Sequence, residues 1–182
     1  VLAFDYRGFG DSEGDTTYLD PFSQVEDIRC AVTYLETRPD VDSRRIGAFG
    51  SGGTGGGNAV MAAGLDPRIR AVVSQVPIAD GRDWLRRMRR EHEWLEFLEQ
   101  LTEDRRRRTV TGQSTLVPPR DRIMVPTPER QTTTVKSDVD TRVPSLVQLA
   151  SADAIMAYRP LDVVERIAPR AIMLICVEGD AT

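Results

Sequence analysis

Three residue types that commonly carry chemistry or charge are almost missing from this chain. Lys136 is the only lysine and His92 the only histidine in 182 residues. Imidazole chemistry therefore has a single candidate, and lysine is absent from the glycine-dense segment where a phosphate-binding loop would need it. Cysteine is scarce as well. Cys30 and Cys176 sit in apolar patterns and are too few for a disulfide framework, so a reduced, cytoplasmic compartment is expected. No apolar run approaches the roughly 20 residues of a membrane span, and no signal-peptide pattern is present, so no membrane partner is expected. An excess of positive charge is lacking too: the net charge is −4 and the sequence pI about 5.1, which argues against a nucleic-acid partner.

What the chain does have is glycine, concentrated in one place. Arg45-Ile46-Gly47-Ala48-Phe49-Gly50 is a short apolar strand, and Ser51-Gly52-Gly53-Thr54-Gly55-Gly56-Gly57 is a turn. A small-residue helix is expected to begin near Asn58 and run through Ala63. Strand, sharp turn and helix make one βα unit. Two chemistries use such a unit. Gly50 to Gly55 satisfies the dinucleotide spacing, but that use wants an acidic residue about 20 positions on, and Arg70 to Gln75 supplies none. The other use is a nucleophile elbow, Gly-x-Ser-x-Gly, in which glycines let the backbone bend tightly enough to present a hydroxyl above a sheet. No cofactor is expected from it.

The flanking pattern supplies the fold. At 182 residues the chain is one domain or a large part of one, and can bury a core. Val1 to Asp5 reads as a buried parallel strand, and the glycines and acids of Tyr6 to Gly14 as an irregular loop. Asp20 offers an N-cap and Pro21 a first helical position. Val25, Ile28, Val32 and Leu35 then keep helical spacing. Ile69 to Pro77 is the next strand, and Arg170 to Val177 a strong buried one, with a short helix from Leu161 to Ile167 before it. The class is α/β, a doubly wound, mostly parallel sheet.

From Asp80 the character changes. Trp84, Leu85, Met88, Leu95, Leu98 and Leu101 predict one long amphipathic helix, and the residues from about Thr109 to Val143 an irregular insertion. Arg86, Arg87, Arg89, Arg90 and Arg105 to Arg108, interleaved with Glu91, Glu93, Glu96 and Glu99, read as a solvated face laced with salt bridges. The chain starts inside one apolar run and stops just after another, as a fragment or one segment of a larger fold would.

With these pieces placed, the chain resembles the α/β-hydrolase superfamily, in its dienelactone-hydrolase and X-Pro-peptidase-like branch. The likeness rests on Phe4-Asp5-Tyr6-Arg7-Gly8-Phe9-Gly10-Asp11-Ser12-Glu13-Gly14, on Arg45-Ile46-Gly47 entering the elbow, and on Val72 to Pro77. Tyr158-Arg159-Pro160-Leu161-Asp162 and Ile167-Ala168-Pro169-Arg170 add to it. It implies a core over residues 1–79 and 152–182, an incomplete α/β-hydrolase fold, with a cap inserted at 80–151. It also implies a triad in the chain order nucleophile, acid, histidine. Asp180 falls where the family keeps its acid, and the histidine base would lie beyond Thr182, absent from this chain.

The nucleophile is less regular. Counted forward from Ile46-Gly47 it falls on Gly52, and counted back from Gly56-Gly57-Asn58 on Gly53, so the turn carries an extra residue. Ser51 is the favoured hydroxyl, with the Gly52 N–H after it as an oxyanion donor. Thr54 is the alternative, its β-branch fitting a strained hinge poorly. The chain would then be a serine-type hydrolase acting on an ester or amide, inactive as an isolated chain. A catalytically silent binding or interaction protein is the alternative. A small ester or amide is the expected partner, and a homo-oligomer stays open.

The remaining candidates have plainer readings. His92 falls on the apolar stripe of the cap helix and reads as a packing or substrate-facing residue. Trp84 and Trp94 read as core before they read as an acyl pocket. Asp5, Asp11 and Glu13 read as turn formers, since no histidine or cysteine joins them to make a metal site.

Overall fold

The computed structural model describes residues 1–125 and 144–178. They divide into two compact units. One gathers residues 1–3, 21–81 and 158–178; the other gathers residues 4–20, 82–125 and 144–157.

The first unit is built on three parallel strands in the order β1-β2-β5: β1 (Gly47–Ser51), β2 (Ala71–Gln75) and β5 (Ala171–Ile175). Gly47 to Ser51 pair in register with Ala71 to Gln75, which pair in turn with Ala171 to Ile175. Helix α1 (Pro21–Glu36) starts at the proline expected to open it and buries Val25 and Val32. Helix α2 (Gly53–Leu65) packs on β1 and β2, with α1 against it. Its small residues Ala59, Ala62 and Ala63 are almost wholly buried, which lets helix and sheet approach closely.

Helix α2 begins at Gly53 rather than near Asn58. Its opening run of glycines has low intrinsic helix propensity, and tertiary packing overrides it. A Cβ at Gly56 would lie 2.7 Å from the Gln75 carbonyl oxygen, so the glycine serves close helix–strand approach inside the helix, not a turn.

A buried polar chain crosses this unit. The Asn58 amide donates to Gln24 Oε1 at 2.8 Å, and the Tyr158 hydroxyl donates to Asn58 Oδ1 at 2.9 Å. At the C-terminal end of α2, Asp66 accepts from the Arg68 backbone N–H and guanidinium, and Arg68 also reaches Glu36 at 2.6 Å. The unit is closed at a neck where Gly81 N–H donates to Tyr158 O and Leu161 N–H to Ala79 O, with Arg159 paired to Asp80 at 2.8 Å.

Two expected strands differ. Residues 1–5 form no strand: Asp5 accepts the Asp11 N–H through its side chain and the Ser12 hydroxyl through its carbonyl. No described strand lies beside them to complete a ladder, so the segment joins the loop. Strand β5 is present but shorter and exposed, with Ile172, Met173 and Leu174 open to solvent; among the described residues β2 is its one strand partner. Phe49 and Met173, on either side of Val73 in the register, are 68% and 57% exposed. The short helix expected at Leu161–Ile167 is instead a pair of 3-10 turns, Pro160–Asp162 and Val164–Ile167.

The second unit is mainly helical. One long helix was expected; there are two, α3 (Gly81–Arg87) and α4 (Glu91–Thr111), broken at Met88–Arg90. Arg89 seals the break, donating to the carbonyls of Leu85, Arg122 and Ile123 with its guanidinium 3.9 Å from the Phe97 ring centre. Burial pushes its pKa down to about 10. Gly112, at φ +72°, caps α4. Strand β3 (Leu116–Val117) pairs antiparallel with β4 (Val147–Gln148), separated in sequence by α5 (Pro119–Arg122), and α6 (Ala150–Ala157) follows. The core joins Leu85, Trp94, Phe97, Leu101, Ile123 and Ile155. Ordered structure thus extends well into the stretch expected to be irregular, whose remainder, with Lys136, lies outside the described residues.

Candidate active site

The C-terminal ends of parallel strands are where open α/β sheets bind ligands, and here they align Ser51, Gln75 and Ile175 side by side. Strand β1 ends on Ser51, one residue is left over, and α2 starts at Gly53. That residue, Gly52, takes φ 75° and ψ 169°, a region nearly reserved for glycine. A single strained residue between strand and helix is the geometry of an elbow.

The hinge therefore falls on position 52. The two counts of the sequence disagreed because the extra glycine lies within the helix, not in the turn. A side chain at Gly52 would meet no atom within 4 Å of its Cβ, so the hinge faces open space and carries no side chain of its own. Ser51, directly before it, is exposed, and its hydroxyl lies 3.4 Å from Gln75 Oε1 as a long hydrogen bond. Thr54 sits in the first turn of α2, half buried. Val76 follows Gln75 at φ +49° and donates its N–H to Ile175 O. Ile78 N–H donates to Gly53 O at 2.8 Å, pinning the start of α2.

The other expected site residues are placed less closely. Asp180 lies outside the described residues. His92 is exposed on α4, while the buried stripe is Trp94, Phe97 and Leu101. It is off that stripe because the break at Met88–Arg90 resets the helical phase. Trp94 is core, with the Arg82 guanidinium over its ring, and Trp84 packs against the same core. Asp5 and Glu13 hold turns, Glu13 through its carbonyl to Gly8 N–H. Cys30 and Cys176 are free and exposed. Among the described residues, no group of His, Cys, Asp and Glu is placed to hold a metal ion, and no helix is long and apolar enough to cross a membrane.

Sequence reasoning missed Gln75, Asn58 and Tyr158. Gln75 was hidden because an apolar strand gave no reason to single out its last residue. Tyr158 lay within a recognised motif, but its partner could be found only once α2 was known to start at Gly53.

A parallel sheet entering an elbow and a small-residue helix defines an α/β-hydrolase fold. A model of the X-Pro dipeptidyl-peptidase (S15) family matches residues 1–158, and the chain belongs to that family. It is 36% identical over 117 residues to a 31.7 kDa protein from the traX-finO intergenic region of Escherichia coli, covering 64% of this chain and 41% of that one. It is 41% identical over 81 residues to the thiohydrolase aneE of Aspergillus aculeatus, covering 44% and 25%. These alignments span less than half the length of either relative. Among solved structures, DcsB in complex with its substrate analogue superposes at TM-score 0.78 and 22% identity, covering 97% of this chain and 61% of that one. The α/β hydrolase GrgF of Penicillium sp. sh18 superposes at TM-score 0.72 and 22% identity, covering 96% and 60%.

Proposed function

We propose that this chain is the elbow-bearing part of an enzyme that transfers an acyl group from an ester, thioester or amide to water. One observation carries the reading: a residue at positive φ joins a parallel strand to a helix, with the exposed hydroxyl of Ser51 immediately before it. Membership of a peptidase family and the likeness to a thiohydrolase support it.

In this reading Ser51 Oγ attacks the acyl carbon and loses its proton to a histidine outside this chain, which Asp180 orients. The Gly52 N–H donates to the oxyanion. Collapse of the tetrahedral intermediate expels the alcohol, thiol or amine with that proton, and water then releases the acyl group by the same steps. Fluorophosphonate labelling of the full-length gene product tests the assignment. Labelling is expected in the parent and absent in Ser51→Ala; unchanged labelling refutes Ser51, and loss in Thr54→Ala alone moves the role to Thr54. The isolated chain is expected to show no Ser51-dependent turnover of an activated ester.

A second reading has an observation of its own. The hinge residue is Gly52, which offers no nucleophile, and a chain with a vacant hinge suits a silent binding or interaction protein of this fold. A full-length product that is folded yet never labelled supports it.

A further inference from the structure

We infer that Gln75 is the positioning residue of the Ser51 hydroxyl, an inference that rests on Ser51 as the nucleophile. Side chains alternate across a strand. The Ser74 hydroxyl donates to Gly56 O at 2.9 Å, and a Cβ at Gly50 would lie 2.9 Å from that of Ala59, so these two positions face α2. Ser51 and Gln75 follow them as register partners and share the opposite face, where the Ser51 hydroxyl donates to Gln75 Oε1 at 3.4 Å. Among the described residues that is the one hydrogen bond of either side chain. The backbone that presents Gln75 is fixed on several sides. Its carbonyl oxygen lies so close to Gly56 that a Cβ there would stand 2.7 Å away. The Val76 N–H donates to Ile175 O and the Ile78 N–H to Gly53 O, each at 2.8 Å. Val76 itself turns to φ +49°, a region that a β-branched residue enters only at a cost, and strand β2 ends on Gln75.

A serine side chain has three staggered positions for its hydroxyl, and a single fixed partner selects among them. The carboxamide suits that task because it carries an acceptor and a donor on one rigid plane. With its carbonyl oxygen turned to Ser51 the hydroxyl proton is engaged, and the resting nucleophile is held in place. Rotation of the amide about its last torsion puts an N–H in the same position. That N–H donates to Ser51 Oγ, frees the hydroxyl proton for the histidine, and stabilises the negative charge that gathers on Oγ as the proton departs. Gln75 gains and loses no proton in the exchange. An ionised carboxylate at the same place could only accept and would set a negative charge beside the forming oxyanion. A thioether is at most a weak acceptor.

Fluorophosphonate labelling of the full-length product tests the proposal, resolved into a maximal rate and a half-saturating probe concentration. Gln75→Met should lower the maximal rate about two- to tenfold, the net worth of one hydrogen bond, and leave half-saturation unchanged. Gln75→Glu, of the same shape, should lower it about tenfold or more at pH about 8. Its rate relative to the parent at the same pH should then climb as pH falls toward about 5, because a protonated glutamate regains a donor and loses its charge. A maximal rate unchanged in both variants, or a change confined to half-saturation, overturns the proposal and leaves Ser51 as the nucleophile. So does a ratio for Gln75→Glu that stays flat with pH, the mark of a side chain that only supports the strand. A parent that is never labelled, or labelling unchanged in Ser51→Ala, overturns the proposal together with the reading it rests on. Should Gln75→Met fail to fold by circular dichroism, the pH profile of Gln75→Glu decides alone.

Discussion

At the residue scale, the elbow depends on what a glycine permits. Gly52 occupies a backbone region that costs a side-chain-bearing residue about 1–3 kcal/mol, yet the space beyond its Cβ is empty. Gly52→Ser should therefore fold with a loss of about that size in chemical denaturation, the hydroxyl standing at the hinge. In the full-length product, Gly52→Ser combined with Ser51→Ala should regain fluorophosphonate labelling that Ser51→Ala lacks. Failure to regain it would mean that the hinge is not where the acyl group is presented. The two counts along the sequence could bring the hinge to within one position and no further. Glycine-dense text does not say which glycine bends the chain and which lies in a helix for close packing; the 2.7 Å that would separate an added Cβ from the Gln75 carbonyl oxygen assigns Gly56 to packing.

At the scale of elements, α2 is held by polar side chains as well as by its alanines. Tyr158→Phe removes the donor to Asn58 Oδ1 and leaves a buried amide oxygen unpaired, for an expected loss of about 1–2 kcal/mol. Asn58→Ala removes both the donor to Gln24 Oε1 and the acceptor of the Tyr158 hydroxyl and should cost more, about 2–3 kcal/mol. Urea unfolding of the two variants and of their combination checks this, and the combined loss should fall short of the sum because the residues share one network. Helix α1 and strands β1 and β2 were legible in the sequence from periodicity and turn residues. The start of α2 was not, since propensity favoured a later one, and neither was the break before α4. Arg89 bridges that break by turning a half-buried guanidinium onto three carbonyls, and a charged residue among other charged residues gives no sign of turning inward.

At the scale of the molecule, acid should unfold both units. Hydrogen bonds from the Arg68 side chain, opposed by burial, hold the Asp66 carboxyl below its ordinary 3.8. For Asp104 burial, which raises the carboxyl, is the largest single influence, and hydrogen bonds from the Thr115 N–H and the Ser114 hydroxyl together outweigh it to leave the carboxyl lowered as well. With both folded values depressed, the unfolded chain takes up protons first. The stability they supply is whole above about pH 4 and is lost as pH falls through the folded values. Urea midpoints at neutral pH and at pH about 3 should show that loss, and Asp66→Asn should flatten the slope. The α/β class was legible from the order of strands and helices, whereas the exposure of β5 was not, because an apolar strand reads as buried whether or not a neighbour covers it. The neck at Gly81 and Tyr158 also has a consequence in time. Strand β2 pairs Ala71 with Ala171, so during synthesis at about 5–20 residues per second the edge of β2 waits about 5–20 seconds for its partner to leave the ribosome. Lengthening such a connection adds little entropy, about 0.6 kcal/mol per doubling. The hazard it brings is that delay, with this edge of β2 open to any passing chain until β5 arrives.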